Sequence, residues 1–385
     1  MLHILIAPNA FKNSLSAQAA AEAIQRGLHN SKLDCTCECF PVGDGGDGTG
    51  ELIMQKCNGE RYEATVKDPI GRDITAAYGI INSGDACVIE MADASGLRLL
   101  KKNELNPLRA TSFGTGQLIK AALDKGIRKI ILCMGGSATV DGGCGILSAL
   151  GIRFLDAAGT ELLALPERLV DLASIDFSNL DERILSSEIT VLCDVDNKLL
   201  GAHGAAAVFG PQKGASPEDI KILEQALSKL AAITLQQTGI DMAAIKYGGT
   251  AGGAAAGLHG LINARLVNGI NYFLDITAFE SSLQKSAIVI TGEGSIDEQT
   301  LQGKGPFGVA SRAKKLGKPV IALAGKVPLT KSPELSAYFD VLLSIGNEPM
   351  ELKMAMAATA QNLERTALEL GNTLSIGRFV DRFKL

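Results

Sequence analysis

The stretch Ile130-Ile131-Leu132-Cys133-Met134-Gly135-Gly136-Ser137-Ala138-Thr139-Val140-Asp141-Gly142-Gly143 reads as a short strand breaking into a glycine-rich loop. Five consecutive apolar residues without alternation mark a strand covered on both faces, and residues 144–150 carry helical spacing behind the loop. Residues 4–7, 35–40, 189–193, 287–291 and 320–324 are further short apolar runs, each followed by Gly or Asp and a helical period. Strands alternating with helices predict an α/β fold with a parallel sheet.

Helix signals fill the gaps. Ser14 or Ser16 can cap a helix with Ala20, Ile24 and Leu28 on one face, ending near His29 and Asn30. Ser216, Pro217, Glu218 and Asp219 give a cap, a first-turn proline and two carboxylates at the positive end of the dipole. Ile220, Leu223, Leu227, Leu230 and Thr234 form the buried stripe of that helix. Leu352, Met356, Ala360, Leu363, Ala367 and Leu370 trace another, with Gly371 and Asn372 as its stop. Residues 62–91 differ: alternation on both sides of Pro69-Ile70-Gly71 predicts a hairpin or meander in place of a βα unit.

A chain of 385 residues exceeds the usual single core, so two domains are expected. The first is expected over residues 1–62 and 284–385, the inserted second over 63–283. With 46% hydrophobic and 21% charged residues the chain can bury a sizeable core. A net charge of −5 provides no field for nucleic acid or an anionic membrane surface. No apolar run approaches the roughly 20 residues of a membrane helix, and the N-terminus enters a strand without an export signal, so the expected location is cytoplasmic. The eight cysteines are diluted over a long chain and read as free thiols, with Cys35, Cys37 and Cys39 on one strand face. The four histidines lack metal-ligand spacing.

Glycine makes up 43 of 385 residues, so an eight-residue window holds about one on average, yet residues 43–50 hold five, with Asp44 and Asp47 among them. The pattern returns after residues 130–134 and again as Gly292-Glu293-Gly294-Ser295-Ile296-Asp297. Three such loops at expected C-terminal strand ends lie where α/β sheets bind ligands, and glycine-freed N–H groups feeding a helix N-terminus suit phosphate. Gly45, Gly46, Gly135, Gly136, Ser137, Gly292 and Gly294 are the expected cradle. Asp44, Asp47 and Glu293 are candidate ligands for Mg²⁺, a hard cation that takes one or two carboxylates plus phosphate oxygens. Lys12, Lys213 and Lys304 lie beside loop signals and can meet a carboxylate or phosphate. Asp194 and Asp297 can accept a hydroxyl proton. No GxxxxGKS/T, kinase catalytic loop or dinucleotide GxGxxG is present.

Read together, Ala7-Pro8-Asn9-Ala10-Phe11-Lys12-Asn13-Ser14-Leu15, Asp44-Gly45-Gly46-Asp47-Gly48-Thr49, Ile89-Glu90-Met91-Ala92-Asp93-Ala94-Ser95-Gly96-Leu97 and Gly135-Gly136-Ser137-Ala138-Thr139 resemble the bacterial type-1 glycerate kinases. Cys193-Asp194-Val195, Val208-Phe209-Gly210-Pro211-Gln212-Lys213-Gly214 and Thr291-Gly292-Glu293-Gly294-Ser295-Ile296-Asp297 extend the likeness through nearly the whole chain. The resemblance implies a Rossmann-like parallel-sheet domain built from both chain ends and an inserted mixed α/β domain enclosing a cleft. It also implies ATP-dependent phosphorylation of glycerate with Mg²⁺, transfer to the 2-hydroxyl giving 2-phosphoglycerate, and small-molecule partners only; a homodimer stays open. On this reading Ser14 joins the binding residues and Lys12 the catalytic ones. Asn9-Ala10 replace an Asp-Ser common in the family, Ser295 a basic residue and Val140 an Asn. Asn9 cannot act as a base. A nicotinamide-dependent 2-hydroxy acid dehydrogenase and an inactive phospho-ligand-binding protein are the rival readings.

Overall fold

The computed structural model describes residues 1–163 and 165–381. Its strands are β1 Leu2–Ile6, β2 Cys35–Cys39, β3 Glu60–Lys67, β4 Asp73–Ile81, β5 Ala86–Glu90, β6 Lys129–Cys133, β7 Arg153–Leu155, β8 Ser174–Asp176, β9 Glu188–Cys193, β10 Arg265–Asn268, β11 Ile288–Ser295, β12 Val320–Lys326 and β13 Val341–Ser344. Every apolar run singled out in the sequence is a strand. They fall into two compact units, Met1–Asp44 with Ile270–Leu385 and Gly45–Gly269. The changeovers expected at 62 and 284 compare with observed ones after Asp44 and Gly269. The helix Thr49–Lys56 packs on β4 and β5, which assigns it to the second unit.

In the first unit five strands run parallel in the order β13-β12-β11-β1-β2. From β1 the chain steps to β2 on one side, and the returning C-terminal segment builds β11, β12 and β13 on the other. The order therefore reverses between β1 and β11, and the carboxyl ends of strands at such a reversal are where open α/β sheets bind ligands. Ser16 is the cap of the helix Ala17–His29, its hydroxyl accepting from the Ala19 amide at 3.2 Å, and Ala20, Ile24 and Leu28 are fully buried. That helix lies along Thr359–Asp381 with no room for a side chain at Gly27, where a Cβ would come within 2.2 Å of the Glu364 carbonyl. The C-terminal stripe departs from expectation: two helices, Leu352–Ala357 and Thr359–Asp381, replace one, and Leu352 is exposed. Gly371 does not stop the second. A Cβ there would sit 2.2 Å from Ser31 Oγ, so this glycine serves close packing inside a helix that continues past it.

The second unit is a six-stranded mixed sheet in the order β10-β9-β6-β5-β4-β3. From β10 to β5 the pairing is parallel, and β3-β4-β5 is an antiparallel meander. Its first turn uses the Asp68 carboxylate to accept from the Ile70 and Arg72 amides, at 3.0 and 2.9 Å, as the Pro-Ile-Gly signal required. β7 and β8 form a separate small ribbon. Ser216 and Asp219 make a reciprocal capping box at the head of Pro217–Thr238. Leu223, Leu227, Leu230 and Thr234 of that helix are buried, with Ile220 at the margin of the core. All eight cysteines are free thiols. No helix of the described residues is long and apolar enough to cross a membrane.

Candidate active site

In the first unit the chemistry gathers at the carboxyl ends of β1, β2 and β11. Asn9 leaves β1 with its amide nitrogen donating to the Gly292 carbonyl at 2.9 Å, and its side-chain Nδ2 donates to Asp44 Oδ2 at 2.7 Å. The residue that cannot serve as a base instead fixes a neighbouring carboxylate. Glu293, at the end of β11, is only 8% exposed, and Oε1 accepts from Thr300 Oγ1 at 3.0 Å. Burial lifts its carboxyl to about 7; Lys304 and the Thr300 bond oppose the rise, while Asp44 and Asp297 add to it. Asp44, Glu293 and Lys304 therefore share one electrostatic neighbourhood. Lys12 lies over Gly294, where a Cβ would be 3.8 Å from the Lys12 amide nitrogen, and its side chain is exposed.

Lys304 is also the N-cap residue of the helix Gly305–Lys315, which no side chain caps and which carries Pro in its first turn. A Cβ on Gly305 would touch Asn9 at 2.8 Å, so the uncapped helix end meets the β1 loop directly. Amides and dipole at such an end favour an anion. Asp297 caps the 3-10 turn Glu298–Gln302, its Oδ1 accepting from the Gln299 amide at 2.9 Å. Ser14 Oγ lies 2.6 Å from both the Met356 carbonyl and Thr359 Oγ1, tying its loop to the C-terminal helices.

The second unit holds the other loops. Gly135 donates its amide to the Gly45 carbonyl at 3.0 Å, and a Cβ on Gly135 would lie 2.4 Å from both Asp47 N and Gly46 Cα. Two of the glycine clusters therefore exist partly because their backbones touch. The N-terminus of Thr49–Lys56, expected to greet phosphate, is already occupied from within: Glu90 accepts from Gly50 N at 2.6 Å through Oε1 and from Gly48 N at 3.2 Å through Oε2. Burial pushes the Glu90 carboxyl to about 7; Asp93 and Asp47 add to the rise, and the two glycine amides oppose it. Asp47 is ion-paired with Arg98 at 3.0 Å, and Arg98 also meets Asp93.

After β6, Ser137 is 5% exposed and Lys213 only 2%. Lys213 Nζ donates to Ser137 Oγ at 2.9 Å and to the Thr139 carbonyl at 2.7 Å, so this lysine is committed inside the protein. Burial pulls its ammonium down to about 7, and the charges of Asp141 and of Asp194, which follows β9, oppose the fall. Asp141 is fully buried and accepts from Ser112 N and Oγ and from the Gly143 and Gly145 amides, at 2.7 to 3.1 Å. Within one unit, then, the structure gathers Lys12, Asp44, Glu293, Gly292, Gly294 and Lys304. Within the other it gathers Gly45, Gly46 and Asp47 with Gly135 and Gly136, and Ser137 with Lys213 and Asp194. Glu90, Asp141 and Thr300, whose side chains hold these loops internally, were not singled out by the sequence; an acid ending a buried strand was the available signal for Glu90.

Known proteins match this arrangement along its length. The family model described as the glycerate kinase family matches residues 4–375. The chain belongs to the glycerate kinase family. The glycerate kinase of Bacillus subtilis (strain 168) is 42% identical over 377 residues, covering 98% of this chain and 99% of that protein. The glycerate 2-kinase of Escherichia coli (strain K12) is 40% identical over 380 residues, covering 98% and 99%. A crystal structure from Salmonella typhimurium LT2, assigned as a glycerate kinase 2, superposes with a TM-score of 0.81 at 41% identity, covering 98% of this chain and 99% of that one. This family member is accordingly a kinase of two α/β units, as the motifs implied.

Proposed function

We propose that the protein transfers the γ-phosphoryl group of ATP to D-glycerate, at the 2-hydroxyl, giving 2-phosphoglycerate. The carrying observation is the set at the β1/β11 reversal: an uncapped helix N-terminus, Lys304 near two carboxylates and the Lys12 backbone over Gly294, in a chain whose residues 4–375 match the glycerate kinase family. Among the described residues no three carboxylates, imidazoles or thiols cluster as a metal cage. Two hard carboxylates, Asp44 and Glu293, fit Mg²⁺, which keeps waters and completes its shell with phosphate oxygens. When bound, the ion would neutralise charge on the transferring phosphate.

The protein's own groups do the positioning. Amides of the helix Gly305–Lys315 and the ammonium groups of Lys304 and Lys12 hold phosphate oxygens and stabilise the charge that shifts to the leaving group. The hydroxyl oxygen of glycerate bonds to phosphorus, the bridging bond to ADP breaks, and the hydroxyl proton passes to a carboxylate. Asp194 and Asp297 are the candidates for that role, and Asp297 also caps a turn through Oδ1. The test is ADP release with D-glycerate, ATP and Mg²⁺, followed by enolase, which consumes 2-phosphoglycerate directly. Glycerate-dependent ADP release without an enolase substrate would move transfer to the 3-hydroxyl; none at all would remove the assignment.

A further inference from the structure

We propose that Lys213 is a positioning residue that turns the Ser137 hydroxyl into a donor for an anionic oxygen of the bound ligand, either the carboxylate of glycerate or a phosphate of the nucleotide. An ammonium group has three donors and no acceptor. At 2.9 Å from the Nζ of protonated Lys213, Ser137 Oγ accepts, and the single proton of its hydroxyl is left to point elsewhere. Among the described residues no acceptor for that proton is found, although Ser137 is 95% buried by its 5% exposure. Such a proton is costly to leave without a partner. Lys213 itself is 2% exposed, with one donor on Ser137 Oγ and a second on the Thr139 carbonyl.

Position and charge point the same way. Ser137 follows the carboxyl end of β6, the ligand-binding end of a parallel strand, and its backbone is pinned by a bridge to Gly96. A hydroxyl whose lone pair faces a cation is a stronger donor, and its best acceptor is an anion. The sequence reading has Lys213 touching the anion; the geometry has it acting through Ser137.

This rests on the glycerate kinase reading, and the experiment separates the two. Wild type, Ser137→Ala, Ser137→Thr, Lys213→Met and the Ala/Met double variant are assayed for kcat and for KM of D-glycerate and of ATP, with calorimetric titration of each ligand. The expected result is a KM and Kd about tenfold or more higher in Ser137→Ala for one of the two ligands, kcat within about threefold, and recovery in Ser137→Thr. Lys213→Met raises the same constant, and the double variant is no worse than the worse single one. The ligand affected identifies the source of the oxygen. Unchanged KM and Kd in Ser137→Ala, or equal rises for both ligands that Ser137→Thr does not reverse, overturn the inference. Wild type inactive on glycerate while one titrated anion still loses affinity in Ser137→Ala would sink the kinase reading and keep this one.

Discussion

Glu90→Gln should change how the stability of this protein depends on pH. In the folded chain the Glu90 carboxyl titrates at about 7, mainly because it is buried, against 4.5 for the ordinary side chain. The folded state therefore keeps a proton that the unfolded state has released, which is a contribution of about 3 kcal/mol fully present below pH 4.5 and lost as pH rises through 7. Between pH 5 and 7.5 the wild type should lose about 2 kcal/mol that a glutamine, which does not titrate, cannot lose. Glutamine also presents an amide nitrogen to one of the two glycine amides, Gly48 or Gly50, so one of those donors goes without an acceptor. The chain contains no tryptophan, so urea unfolding is best followed by far-UV circular dichroism at the two pH values. The quantity read is the stability difference between variant and wild type. A difference that is flat across that range would refute the reasoning, because it would mean that Glu90 is ionised throughout and that its burial costs nothing.

Gly135→Ala puts a methyl 2.4 Å from the backbone of Gly46 and Asp47, forcing the two loops apart. It should cost about 1–3 kcal/mol of stability; wild-type melting would contradict the contact. Thr300→Val removes the donor to Glu293 and the acceptor for the Asp297 amide, so a drop of about tenfold in kcat with recovery in Thr300→Ser is expected from steady-state kinetics. Asp44→Asn should raise the Mg²⁺ concentration for half-maximal rate about tenfold, and an unchanged metal dependence would release Asp44 from that role. Asp194→Asn should lower kcat by about 100-fold or more with the fold intact, whereas Asp297→Asn should chiefly lower the melting temperature.

What the sequence disclosed was burial and conformation. Apolar runs without alternation announced the parallel strands, because a strand covered on both faces has no polar side to show. Ser216-Pro217-Glu218-Asp219 announced its helix, because a cap is a local event. Partners distant in the chain left no such trace. Nothing near Glu90 says that its carboxylate closes a helix 40 residues upstream, nor near Lys213 that it reaches Ser137, 76 residues away. Gly371 misled for the same reason. A glycine behind an apolar stripe reads as a stop, and only the approach of Ser31 shows it to be a contact.

The sheet of the first unit has an interior strand, β1, at Leu2–Ile6, with one neighbour, β2, made at once and the other, β11, made only from residue 288. During synthesis at about 5–20 residues per second, β1 therefore waits on the order of ten seconds or more with one edge open. The continuous segment Gly45–Gly269 has everything its own sheet needs in the meantime. The order of assembly is thus written into the strand order: the last-made strands close the first unit's sheet, so truncating the chain before β11 should leave β1 and β2 as an aggregation-prone pair.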